Sequence, residues 1–300
     1  MSKTGAGTIT PSHVDRRRVA LLIAALLAAP ALVLGAAVTG PADTASAAVA
    51  TGKPDKPGKP GGGGGGGTGE LAYSALGDSF ASGTGSQSYI DSTDCDRSSL
   101  SYPKLLDADA TANVQLVAFP ACSGASTADV INSQVRAIAR GTTRVTLTVG
   151  GNDLGFSNVM TWCFVITWAP GTCDSYLDSA ESLISNGTLG ARITSTVNAI
   201  AAKAPKAKIV VTGYPLLFDP ASGYANAARV NADTVALNAA IKGAAESAGA
   251  VFVDVAGVFT GRGIGSAEPW INGFSNTSIA AHPNQAGNAA YAEAVRAALR

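Results

Sequence analysis

A basic excess is missing from this chain: 21 Lys+Arg stand against 21 Asp+Glu over 300 residues. Counterion release, which drives binding to nucleic acid, has no surplus of positive charge to act through. Charged residues make up only 14% of the chain, far too few for a solvated, disordered polyelectrolyte. Aromatics are scarce at 6%, so no platform of exposed rings for sugar binding is evident. Histidine occurs twice and cysteine four times. What remains is apolar, at 46% of residues, ample for the core of one or two domains.

The amino-terminal region reads as an export signal. Arg16, Arg17 and Arg18 precede an apolar run over 19–38, followed by small-residue exits of A-x-A type at Ala45-Ser46-Ala47 and Ala48-Val49-Ala50. The run is longer than a usual signal centre, so a retained membrane anchor is the competing reading. Pro30 interrupts the run, which favours removal, and no cysteine at the exit offers a lipoprotein anchor. Residues 1–48 are thus assigned to a signal peptide and the protein to the extracellular side. Loss of the leader also removes His13 and leaves His282 as the single imidazole. Residues 49–69, with TGKPDKPGKP and the glycines 61–67, cannot bury enough surface to offset their ordering entropy and read as a flexible linker. The folded domain is expected over 70–300.

Its four cysteines, Cys95, Cys122, Cys163 and Cys173, suggest two disulfides in an exported chain. Of the three connectivities, the sequence-local one is expected: Cys95 with Cys122 and Cys163 with Cys173. No C-x-x-C or histidine spacing accompanies them, so a zinc site is not expected.

Short apolar runs at 71–76, 114–119, 145–149, 208–212 and 251–255 read as buried strands. Helical spacing separates them. Over 127–140, Val130, Ile131, Val135 and Ile138 share a stripe; over 189–204, Ile193, Val197 and Ile200 do so. Segments 226–248 and 283–299 complete the set. This alternation predicts a three-layer α/β/α sandwich around a mainly parallel five-stranded sheet. Reactive groups in such sheets collect at the carboxyl ends of the strands.

Four loops at those ends carry unusual residues. Gly77-Asp78-Ser79-Phe80 follows the first strand and could place a serine hydroxyl at a helix start, or be an ordinary cap. Cys122-Ser123-Gly124-Ala125 follows the second, where Gly124 leaves its N–H unshielded by a side chain. Gly150-Gly151-Asn152-Asp153 follows the third, where an Asn amide can donate into a cleft, although such clusters are also common turns. Near the end, Pro283 suits the first position of a helix and sets His282 at its entrance. Each has a bland explanation alone. Together they supply a hydroxyl, an imidazole and several N–H donors, the parts of acyl transfer through a serine nucleophile.

Taken in order, GDSF, ACSGA, GGND and HPN resemble the four blocks of the SGNH (GDSL-type) hydrolases, and in particular their secreted bacterial esterases, lipases and phospholipases. The resemblance spans 77–284. It implies a flavodoxin-like sheet, Ser79 as nucleophile and His282 as general base. It implies an oxyanion hole from the N–H groups of Ser79 and Gly124 and the amide of Asn152. No metal or organic cofactor is implied. The expected partner is a small-molecule or lipid ester, with transient contact to a lipid surface, no nucleic acid, and a monomeric enzyme. Acetylated polysaccharide, of acetylxylan type, is the alternative substrate. A non-catalytic binding domain on the same fold is the contrasting reading. Asp78 and Asp153 are assigned to loop geometry.

Two departures from the family pattern stand out. Its members commonly carry an aspartate three residues before the histidine; here the residue is Ile279. A Ser79–His282 dyad is therefore expected, with a backbone carbonyl near Ser278 or Ile279 accepting from Nδ1, or else Glu268 or Asp254 folding back as the acid. Without an adjacent carboxylate, activity should rise as His282 loses its proton near the reference value of about 6.5. The third disulfide frequent in similar enzymes is also absent, so the loop over 261–281 is expected to be more mobile. Trp270 and Phe274 could either anchor that loop or line an acyl pocket.

Overall fold

The computed structural model describes residues 69–91 and 93–300. The expected signal segment 1–48 and nearly all of the linker lie outside the described residues. Five strands, β1 (Leu71–Gly77), β2 (Val114–Ala118), β3 (Arg144–Thr148), β4 (Lys208–Thr212) and β5 (Val251–Val253), pair in the order β2-β1-β3-β4-β5, all parallel. The three central strands are almost wholly buried, which is why they read as continuous apolar runs and do not alternate.

Two helical turns and six longer pieces surround the sheet: α1 (Ser79–Ser82), α2 (Tyr102–Ala108), α3 (Thr127–Asp129), α4 (Phe156–Met160), α5 (Pro170–Ser185), α6 (Thr188–Lys203), α7 (Ala227–Ser247) and α8 (Gln285–Arg296). Helices α6 and α7 pack on one another, as do α2 and α8. Right-handed crossovers in opposite directions from β1 put these pairs on opposite faces, giving three layers. Ile193, Val197 and Ile200 of α6 are fully buried, as their spacing requires. The strand order reverses between β1 and β3, so the loops after these two strands flank the switch point where ligands bind in open parallel sheets.

Two expectations need correction, and one helix was not foreseen. The segment 127–140 is not one straight amphipathic helix: after α3 it widens into a π turn at Val130–Gln134 and tightens into a 3₁₀ turn at Val135–Ala137. Ile131 is consequently turned outward, 37% exposed, and Gln134 inward. The last helix begins at Gln285, not Pro283; Asn284 caps it by accepting from the Gly287 N–H at 3.0 Å, and Pro283 instead bridges to Ile271. Helix α5 went unpredicted because its buried stripe, Cys173, Leu177 and Ala180, is sparse and made partly of small residues.

Candidate active site

Gly77 ends β1 at φ +133, and a Cβ there would stand 2.1 Å from the Thr148 carbonyl oxygen of β3. Only glycine lets the chain turn this close to its neighbour. Asp78 then caps α1, its carboxylate accepting from the Phe80 N–H at 3.0 Å. Ser79 is thereby placed at the first helical position, buried at the carboxyl edge of the sheet.

His282 arrives from the other end of the chain, and its Nε2 lies 2.7 Å from Ser79 Oγ. Its Nδ1 lies 2.9 Å from the Ala280 carbonyl oxygen. A carbonyl only accepts, so Nδ1 carries the proton and Nε2 is left free to accept from the serine hydroxyl. The holding carbonyl belongs to Ala280, one residue beyond the Ser278–Ile279 stretch expected. Ala281, at φ +59, makes the tight left-handed turn that folds this carbonyl back on the ring. Neither carboxylate considered as the acid touches His282: Glu268 pairs with Arg262, and Asp254 accepts from the Ala256 N–H at 2.8 Å.

The rings of Phe80 and Phe156 flank the imidazole, with centroids 5.3 and 5.6 Å away. Burial against them pushes the His282 pKa down to about 4, against the smaller upward pull of the Ala280 and Ile279 backbone. This corrects the expectation of an ordinary value near 6.5, which counted missing carboxylates but not desolvation.

The N–H groups of Ser79 and Gly124 find no acceptor among the described residues. Gly124 sits at φ +78 with open space where a Cβ would be. Asn152 donates through Nδ2 to the Ala125 carbonyl at 3.1 Å, which ties its loop to that of Gly124 and leaves its second amide hydrogen uncommitted. Ser79, Gly124, Asn152 and His282 all line one cleft of about 200 Å³. A second, apolar cavity of about 70 Å³ adjoins Ser79 and Asn152, lined by Val159, Met160, Leu177, Leu217 and Leu237 among others.

The four loops are held in register by residues that the sequence reading did not single out. Gln134 clamps Gly77 from both sides: its Oε1 accepts from the Gly77 N–H and its Nε2 donates to the Gly77 carbonyl, each at 2.8 Å. Tyr214, directly after β4, donates its hydroxyl hydrogen to Asp78 and accepts from the Gly151 N–H at 3.1 Å. Burial pushes the Asp78 carboxyl up to about 7 despite the opposing pull of Tyr214 and the Phe80 N–H. Asp78 thus reaches further than the local backbone role assigned to it. Asp153 takes the Thr127 N–H at 2.9 Å and hydroxyl at 2.6 Å, fixing the start of α3. The signal for Tyr214 was its place at a strand's carboxyl end; Gln134 gave none, because its inward turn depends on the π geometry.

Disulfides join Cys95 to Cys122 and Cys163 to Cys173. The loop before His282 has a different brace. Asn272 donates from its backbone to the His282 carbonyl at 2.9 Å and accepts from the Ala281 N–H at 2.8 Å, while its side chain donates to Gly85 and His282 carbonyls, both at 3.0 Å. Trp270 anchors this loop against Phe259 and beneath Arg262. Phe274 stacks on Phe164 and lines the cleft, but is not among the residues lining the apolar cavity.

Comparison with known proteins gives the family. The model of the GDSL-like lipase/acylhydrolase family matches residues 75–290. Lipase 1 of Streptomyces coelicolor is 36% identical over 223 residues, which cover 72% of this chain and 81% of that protein. The structure of an extracellular lipase from Streptomyces rimosus superposes with a TM-score of 0.69 at 35% identity, covering 76% of this chain and 99% of the lipase. That of phospholipase A1 from Streptomyces albidoflavus NA297 does so at 0.68 and 34%, with the same coverage. The chain belongs to the GDSL-like lipase/acylhydrolase family and is a carboxylic ester hydrolase.

Proposed function

We propose that the protein is an exported lipid esterase that works through a Ser79–His282 dyad and an acyl-enzyme, and the 2.7 Å contact between Oγ and Nε2 carries this reading. His282 takes the hydroxyl proton as Ser79 attacks the ester carbonyl, forming one C–O bond and an oxyanion. The Ser79 and Gly124 N–H groups and the free Asn152 amide hydrogen donate to that oxyanion. Collapse breaks the bond to the alcohol, which leaves with the proton from His282. Water then repeats the sequence on the acyl-serine and releases the acid. The Ala280 carbonyl keeps the ring in the productive tautomer without supplying a full negative charge, so the imidazolium is stabilised less than in a triad.

The apolar cavity supports an acyl chain over an acetylated sugar. At about 70 Å³ it is half of the ~150 Å³ void that takes benzene, so short acyl groups enter without rearrangement. Longer ones require Met160, an adaptable side chain, to move. The extracellular lipase from Streptomyces rimosus supports export, as do the two disulfides. Among the described residues no helix is long and apolar enough to cross a membrane.

Hydrolysis of p-nitrophenyl esters of increasing acyl length tests the reading. Ser79→Ala should abolish turnover at every length. Asn152→Ala should lower kcat by roughly 10²–10³-fold with the fold intact. Near-normal turnover in either variant would reject the assigned role.

A further inference from the structure

No charged side chain occurs between Asp153 and Asp174. This stretch forms one rim of the cleft, where Phe156, Met160 and Val165 line the space beside Ser79 and His282. A π turn follows at Thr161–Val165, and Cys163 is joined to Cys173. Phe164 points in and stacks on Phe218 and Phe274. Its neighbours point out: Val165 is 46% and Trp168 81% exposed. Tyr89 and Ile90 are also exposed, and the Tyr89 hydroxyl accepts from the Gly85 N–H at 3.2 Å.

An exposed apolar edge beside a catalytic cleft is a surface for a partner. A polysaccharide fits it poorly: Trp162 and Trp168 stand nearly perpendicular, at 72°, and the intervening and following residues offer few side-chain groups to bond sugar hydroxyls. A lipid interface fits it well. Trp settles at the headgroup level of a bilayer, its ring apolar and its N–H wet. The absence of charge means that no anionic headgroup is needed.

We propose that Val165 and Trp168 dock the enzyme on an electrically neutral lipid surface and so present the Ser79 cleft to esters in the interface. This deepens the lipid-ester reading and rests on it only for the identity of the substrate. The three tryptophans, Trp162, Trp168 and Trp270, all lie in the folded domain and none in the leader. Tryptophan emission therefore reports on the folded domain and not on the leader.

Phosphatidylcholine vesicles with brominated acyl chains should quench the tryptophan emission of the inactive Ser79→Ala chain. That quenching should be lost when Trp168→Ala is added. In the active chain, Trp168→Ala should lower hydrolysis of vesicle phosphatidylcholine at least about tenfold while leaving p-nitrophenyl acetate hydrolysis unchanged. Quenching that persists without Trp168, no quenching at all, or equal loss on both substrates would overturn the proposal. Trp168-dependent retention on insoluble xylan in place of quenching would overturn it in favour of a sugar surface. Quenching without any turnover of p-nitrophenyl acetate would uphold docking and reject the ester chemistry instead.

Discussion

At the scale of single residues, the site is set by what surrounds the imidazole and not only by what it touches. Desolvation beside Phe80 and Phe156 favours the neutral ring, and only the neutral ring has an Nε2 lone pair able to accept from Ser79. A pKa lowered to about 4 therefore moves the acid limb of activity downward. The pH profile of kcat/KM on a neutral ester should stay flat from pH 7 through about 5.5 and fall only below that. A midpoint at or above the free-imidazole value of about 6.5 would contradict this picture. Four positions were legible from residue type and order alone: Ser79, Gly124, Asn152 and His282 converge on one cleft. The carbonyl of Ala280 was legible only to within a residue or two, because which peptide faces the ring depends on the left-handed turn at Ala281.

Among the elements, strands were far easier to read than helices. Buried parallel strands must be apolar on both faces, so they announce themselves as short runs ending in glycine or polar residues. The segment after β2 shows why helices are harder. Its apolar spacing fits an α-helix, yet the π turn at Val130–Gln134 rotates the following residues and delivers Gln134 to Gly77. That side chain serves the turn just before Ser79 and has no place in an apolar stripe. Replacing it by Leu removes two hydrogen bonds and strands the buried Gly77 N–H, at a cost of roughly 1–3 kcal/mol. Gln134→Leu should lower the denaturant midpoint accordingly and reduce kcat more than it raises KM on p-nitrophenyl acetate. Full stability with unaltered kcat would show that the clamp is dispensable.

For the molecule as a whole, the sheet alone does not hold the site together. The loop of Gly124 leaves an edge strand, and Cys95–Cys122 fastens it, with the Ser123 N–H donating to the Cys95 carbonyl at 3.0 Å. Closing a loop of 27 residues should contribute about 3.5 kcal/mol by chain-entropy arithmetic. The double variant Cys95→Ser/Cys122→Ser should melt about 10 °C lower. It should also lose turnover at temperatures where it remains folded, because Gly124 is no longer fixed. An unchanged melting temperature would reject the cross-link as a brace. Finally, the oxygen and nitrogen that meet at the centre are 203 positions apart in the polymer. A ribosome must therefore finish nearly all of the described domain, and the last crossover must close, before the two can meet. Until then the growing chain holds Ser79 without the imidazole that meets it in the folded domain.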